Sequence, residues 1–187
     1  MKRLTFSLLV LLFCSVGAGA QTMADDAKPK PKLEEWNYAF SSEGRQNWAP
    51  EFTVRTYAGF VTEGVALTSG MRIDDKRTIG LMLHNGKAYD DAAPANRYFA
   101  AASLYMRKYH HFSSGNAISI YNDFNVGAAY VYKIVGNVED SASKPGDIEF
   151  MLAWEPGVCI RFWKDVNVFI GPTISSYVLG LHLGVGF

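Results

Sequence analysis

The residues of this 187-residue chain that could do chemistry are few: four histidines, a pair of serines, and arginines and acids that recur on alternate positions. A histidine that meets a serine and a carboxylate makes a nucleophile with its base. His84, His110, His111 and His182 are the candidate bases, and Ser175 and Ser176 the candidate nucleophiles. Nothing in their spacing brings them together. His182 alternates with small residues, which suits an interior hydrogen-bonding histidine better than a general base. The His110–His111 pair is at most a weak metal site, with no cysteine or carboxylate beside it, and reads as two exposed turn residues. A P-loop, GxGxxG, zinc-ligand spacing and nucleophile elbow are all absent, and "GLHLGVG" has spaced glycines but opens no helix. No enzyme activity, metal or cofactor is expected.

The charged residues say more. Arg55, Arg72, Arg107, Asp123, Lys133, Glu149, Glu155 and Arg161 all fall on the polar parity of stretches in which apolar and polar side chains alternate. Eight such stretches follow Trp48, at 51–60, 64–73, 77–84, 97–109, 117–133, 148–162, 167–174 and 179–187. In the clearest, Ile148, Phe150, Leu152, Trp154, Val158, Ile160 and Phe162 oppose Glu149, Glu155, Gly157, Cys159 and Arg161. Connections at 74–76, 110–116 and 164–165 are short, and those at 85–96 and 136–146 are longer and polar. The pattern predicts an all-β, antiparallel up-and-down barrel of about eight strands spanning 48–187, several of them near the ~9–11 residues of a tilted membrane strand.

Two architectures share that pattern, differing in which face is wet. In a soluble barrel the apolar parity points inward, and in a transmembrane barrel it points outward. Here the polar parity mixes long charged side chains with glycines and other small residues. That combination suits a narrow lumen, where small residues make room for large ones. Signs are nearly matched, so Arg55, Arg72, Arg107, Asp123, Glu149, Glu155 and Arg161 are expected to form an interior charge network, because an unpaired enclosed charge is costly. Eight strands leave a lumen just wide enough for side chains to fill, so a plugged interior is favoured over a narrow channel. Lys108 and Asn122 interrupt the apolar parity; Lys108 can snorkel from a strand end, and Asn122 counts against the scheme. Phe60, Tyr130, Tyr132, Phe150, Trp154, Phe162 and Phe187 are candidates for aromatic girdles at the membrane interfaces.

The first residues read as an export signal. Lys2 and Arg3 precede an apolar run from Leu4 to Phe13, and Ala18-Gly19-Ala20 fits a cleavage site, giving a 1–20 signal peptide. The run is short for an uncleaved anchor, and Phe13 before Cys14 argues against a lipoprotein. Residues 21–47 are polar, with "KPKPK" expected to be extended; Trp36, Tyr38 and Phe40 either dock this segment or decorate a linker. Cleavage would leave Cys159 alone, an apolar filler rather than half of a disulfide. Acids and bases number 18 each, so nothing suggests a nucleic-acid partner.

The stretches "YFAAASLYMRKY", "NDFNVGAAYVYK", "FMLAWEPGVCIRFW" and "NVFIGPTISSYVLGLHLGVGF" resemble small eight-stranded outer-membrane β-barrels of the OmpX and OmpA-barrel type, especially the compact barrels of Bacteroidetes. The resemblance covers about 48–187. It implies a monomer in outer-membrane lipid, and an insertion signature at Leu181, Leu183, Val185 and Phe187 that outer-membrane assembly machinery recognises. It also implies a structural role or contact with an unidentified surface partner. Two other functions remain open: a secreted soluble barrel binding a small apolar ligand, and a rim-located lipid-modifying enzyme using His84 with Ser175 or Ser176.

Overall fold

A computed structural model describes residues 32–59, 62–90, 95–112, 117–136, 143–162, 166–176 and 179–187. The 1–20 signal reading, all of the "KPKPK" segment but Lys32, Phe60 and the 164–165 turn lie outside the described residues. The strands are β1 (Ala49–Ala58), β2 (Thr62–Arg72), β3 (Arg77–Asp90), β4 (Ala95–His111), β5 (Ile118–Gly136), β6 (Ile148–Arg161), β7 (Asn167–Ser175) and β8 (Leu179–Gly186). Each is antiparallel to the next, and β8 returns to β1, closing a barrel. The expectation of an all-β, antiparallel up-and-down barrel of about eight strands is met.

Parity decides which side chains enter the barrel, because successive residues of a strand point to opposite faces. In β1, Glu51, Thr53, Arg55 and Tyr57 are buried while Phe52 and Val54 are exposed. In β8, Leu179, Leu181, Leu183 and Val185 face out, as does Phe187 just past the strand, while His182, Gly184 and Gly186 are buried. A one-residue slip would exchange those sets. Register is fixed on both sides of β8, by Ile170 opposite Leu183 and by Thr56 opposite Leu183. Glycine has a steric reason at two lumen positions. A Cβ on Gly184 would lie 2.7 Å from Arg55 Cγ, and one on Gly157 would lie 2.7 Å from the Tyr121 hydroxyl.

Three strands outrun their expected lengths. β3, β4 and β5 hold 14, 17 and 19 residues, so 85–90, 95–96 and 136 are strand where the sequence suggested loop. A bulge sits in the β4–β5 extension, with Tyr98 opposite Lys133 and Phe99 opposite Val131. The extra residue, Tyr132, resets the parity. Lys133 is therefore exposed, its ammonium 5.5 Å from the Tyr98 ring, and not in the lumen as its parity suggested. His110 and His111 are also corrected: they end β4, opposite Ile120 and Ser119.

Before β1, the chain forms helix α1 (Lys32–Ala39) and a 3-10 turn (Gly44–Asn47). Trp36 stacks on Phe40 at 5.9 Å, and Phe40 meets Trp48 edge-on at 5.5 Å. Trp48 Nε1 donates to the Ala39 carbonyl at 3.0 Å, and the Arg77 guanidinium lies 4.1 Å from the Trp36 ring centroid. Trp36 thus docks beside the β2–β3 turn. Tyr38 and Phe40 stay exposed.

Outward aromatics gather toward the two ends. Phe52, Phe112, Phe162 and Phe187 mark the end that holds the β2–β3, β4–β5 and β6–β7 connections, here called the turn end. Tyr89, Tyr130, Tyr132 and Phe150 lie toward the other. Trp154 belongs to neither group, since it stands in the middle of β6. Its indole donates to Asn122 Oδ1 at 3.2 Å, which gives this amide on the apolar parity of β5 a partner.

Candidate functional site

The lumen is filled in two layers. Toward the turn end lies a charge network built by five strands. Arg107 on β4 faces Asp123 on β5, and Asp123 faces Glu155 on β6. Two carboxylates directly opposite each other are destabilising unless a cation separates them. Arg55 supplies it from β1, across the lumen. One of its terminal nitrogens donates to Glu155 Oε2 at 2.5 Å and the other to Asp123 Oδ2. Arg107 donates to both oxygens of Asp123, at 2.7 and 2.9 Å. It also donates to Glu51 Oε1, and Arg72 donates to Glu51 Oε2 at 2.6 Å. Arg55, Arg107, Asp123, Glu155 and Glu51 are at most 3% exposed in their side chains.

Three arginines thus meet three acids, and the network is formally neutral. Neutral donors complete it: the Tyr57 hydroxyl to Glu155 at 3.1 Å, Tyr109 to Glu51 at 3.1 Å and Thr78 to Glu51 at 3.2 Å. Aromatic faces wrap the cations, the Arg107 guanidinium lying 4.3 Å from the Phe169 ring centroid. Delocalised, weakly hydrated guanidinium suits such a place better than ammonium would.

The second layer, toward the other end, is apolar. Met82, Phe99, Met151, Ala66, Ala101 and Ala129 pack there with Tyr57. His84 belongs to this layer. It stacks on Tyr57 with 4.6 Å between ring centroids and meets Phe99 edge-on at 5.1 Å. The expectation that it stands at an outer rim is therefore wrong: its parity on β3 carries it inside.

Of the seven residues expected to form the network, Arg55, Arg72, Arg107, Asp123 and Glu155 are brought together. Glu149 and Arg161 are not. Glu149 lies past the apolar layer, accepting from Ser143 Oγ with Arg97 at 3.9 Å. Arg161 is half-buried at the turn end and has no ion-pair partner among the described residues. Sequence reasoning missed Glu51, which joins two arginines. Its parity with Thr53, Arg55 and Tyr57 was the available signal, but it opens a strand, where boundaries are least legible.

No family model matches this sequence, and no curated protein matches it. Each carboxylate of the network accepts from at least one guanidinium and one or more further donors, which suits holding strands together rather than moving protons. Two of the histidines are hydrogen-bonded elsewhere, while buried His84 Nε2 has no hydrogen-bond partner among the described residues. His182 shares hydrogen bonds with the hydroxyls of Tyr121 and, at 2.7 Å, Thr173. His111 hydrogen-bonds Ser119 Oγ at 2.6 Å, while its other nitrogen donates to the Asp75 carbonyl at 2.7 Å. Among the described residues, no cluster of three His, Cys, Asp or Glu side chains could hold a metal. Cys159 is a buried free thiol.

Proposed function

We propose that the chain is an exported outer-membrane β-barrel protein with a plugged, charge-neutral lumen and a non-catalytic role in the cell envelope. The observation that carries this reading is the outer wall. From Val54 and Leu67 through Leu81, Leu104 and Val126 to Leu152, Leu181 and Leu183, large apolar side chains are exposed around the closed sheet. Soluble monomers rarely expose contiguous apolar patches beyond a few hundred Å². In hydrocarbon the same wall is favourable, and closure leaves no backbone edge unpaired. The grouped phenylalanines and tyrosines suit the two interfaces. An apolar-ligand carrier would need an apolar lumen, whereas half of this lumen is salt-bridged.

The export signal at 1–20 and the insertion signature at Leu181, Leu183, Val185 and Phe187 complete the proposal, with the turn end on the periplasmic side. The test is fractionation of cells expressing the full chain. The protein should sediment with outer membranes, resist carbonate, need detergent for release, and migrate differently with and without boiling. Recovery in the soluble periplasmic fraction would overturn the reading.

A further inference from the structure

Among the described residues, the turn end of the lumen is not sealed. A pocket of about 100 Å³ opens there, with Arg72, Asp75, His111, Ser119, Arg161 and Asn167 in its lining beside Tyr109 and Cys159. Its electrostatics follow from the charge count. Arg55, Arg72 and Arg107 are balanced by Glu51, Asp123 and Glu155, so the network asks for no further ion. Arg161 is the cation left over. It lies on the inward parity of β6 at the wall of this pocket, with no acid within ion-pair distance among the described residues.

The other lining groups sort into donors and acceptors. His111 Nε2 faces the Asp75 carbonyl and so carries its hydrogen. In the neutral ring Nδ1 then accepts from the Ser119 hydroxyl, leaving Ser119 to offer only lone pairs. The donors aimed at an incoming group are therefore the Arg161 guanidinium, the Asn167 amide facing Arg161 across the β6–β7 pair, and the exposed part of Arg72. Asp75 is the one acid in the lining, in the exposed β2–β3 turn, and forms no ion pair with either arginine among the described residues. Planar guanidinium beside an amide suits a small group with two or three equivalent oxygens.

We infer that this pocket binds a small oxyanion of the carboxylate or phosphate class, held chiefly by Arg161. The ion comes from solution, not from a lipid headgroup, because the pocket lies inside the ring of strands while lipid meets the outer wall. The inference does not depend on the envelope role proposed above.

Inorganic phosphate is the probe, titrated by calorimetry into refolded barrel in a non-ionic detergent free of phosphate. Binding should be saturable, with a dissociation constant on the order of 1 mM, and Arg161→Gln should weaken it by about tenfold or more. Asp75→Asn should tighten it several-fold, Arg161→Lys should restore part of it, and Lys133→Gln, on the outer surface at the far end, should leave it unchanged. Arg161 stands outside the buried network, so its variants should keep the boiling-dependent migration of the folded barrel. Equal binding by wild type and Arg161→Gln, or no binding to wild type at roughly 50 mM phosphate, would overturn the inference. A response to short-chain phosphatidylglycerol with none to phosphate would overturn the soluble-ion assignment.

Discussion

The two layers of the lumen are filled by the same alternation of the same strands, yet they hold together differently. Near the turn end, six charged groups pair across five strands, although Arg55 Nε finds no hydrogen-bond partner among the described residues. In the other layer, Met82, Phe99 and Met151 pack as they would in a soluble core, and polar atoms are left over: neither amide atom of Asn125 has a hydrogen-bond partner among the described residues. The first layer is strong only while complete, because each charge is there to neutralise others. The second is a sum of contacts and should degrade by increments.

The sharpest way to break that contrast is to remove one charge. Arg55→Gln leaves Asp123 and Glu155 facing each other in the enclosed lumen, and should cost about 3–5 kcal/mol of stability. Urea unfolding of the refolded protein in detergent would measure it. Replacing Arg55 and Glu155 together by apolar residues of similar volume leaves two arginines balanced by Glu51 and Asp123 and should cost much less than the single change, and a double variant weaker than Arg55→Gln would deny that completeness is what matters.

In the apolar layer, Met151→Ala should cost roughly 2–5 kcal/mol, set by how far its neighbours relax into the cavity. Asn125→Leu should lie within about 1 kcal/mol of wild type, since it discards a buried amide that no described residue hydrogen-bonds. Equal costs for Asn125→Leu and Asp123→Asn would erase the distinction between layers. The smallest effect belongs to the surface: Glu63 sits 3.6 Å from Lys87 but is 71% exposed in its side chain, so Glu63→Gln should change stability by less than about 0.5 kcal/mol. Deleting Phe187, one exposed aromatic among many, should likewise change stability little while lowering the yield of assembled barrel in the outer membrane. An unchanged yield would count against its role as an assembly signal.

What the sequence disclosed, and what it hid, follows the range of each interaction. Alternation is local, so the inward set of β1, β6 and β8 could be read directly, and with it the number of strands and their closure. The bulge at Tyr132 defeated the same rule for Lys133, because an extra residue is visible only against its partner strand. Strand length was hidden where β3 and β5 continue past the apolar wall into polar residues such as Asn85 and Lys87. Within the site, parity found Arg55, Asp123 and Glu155 but could not pair them, since Arg55 and Glu155 are 100 positions apart and meet across the lumen. Glu149 and Glu155 share a parity, yet only Glu155 lies at the level of Arg55. Height along the barrel separates them, and one strand read alone does not fix it.

The β1–β8 seam has a consequence for biogenesis. The first and eighth strands in chain order are hydrogen-bonded neighbours, from Thr53 with Gly186 to Ala58 with Leu181. A polypeptide cut anywhere before β8 therefore keeps two unsatisfied sheet borders and has no closed form to adopt, however well its other hairpins pair. Arg55, which neutralises the lumen acids, belongs to one of those borders. Closing the circle and holding Arg55 across from Asp123 and Glu155 are thus joined in one strand of the finished barrel, β1.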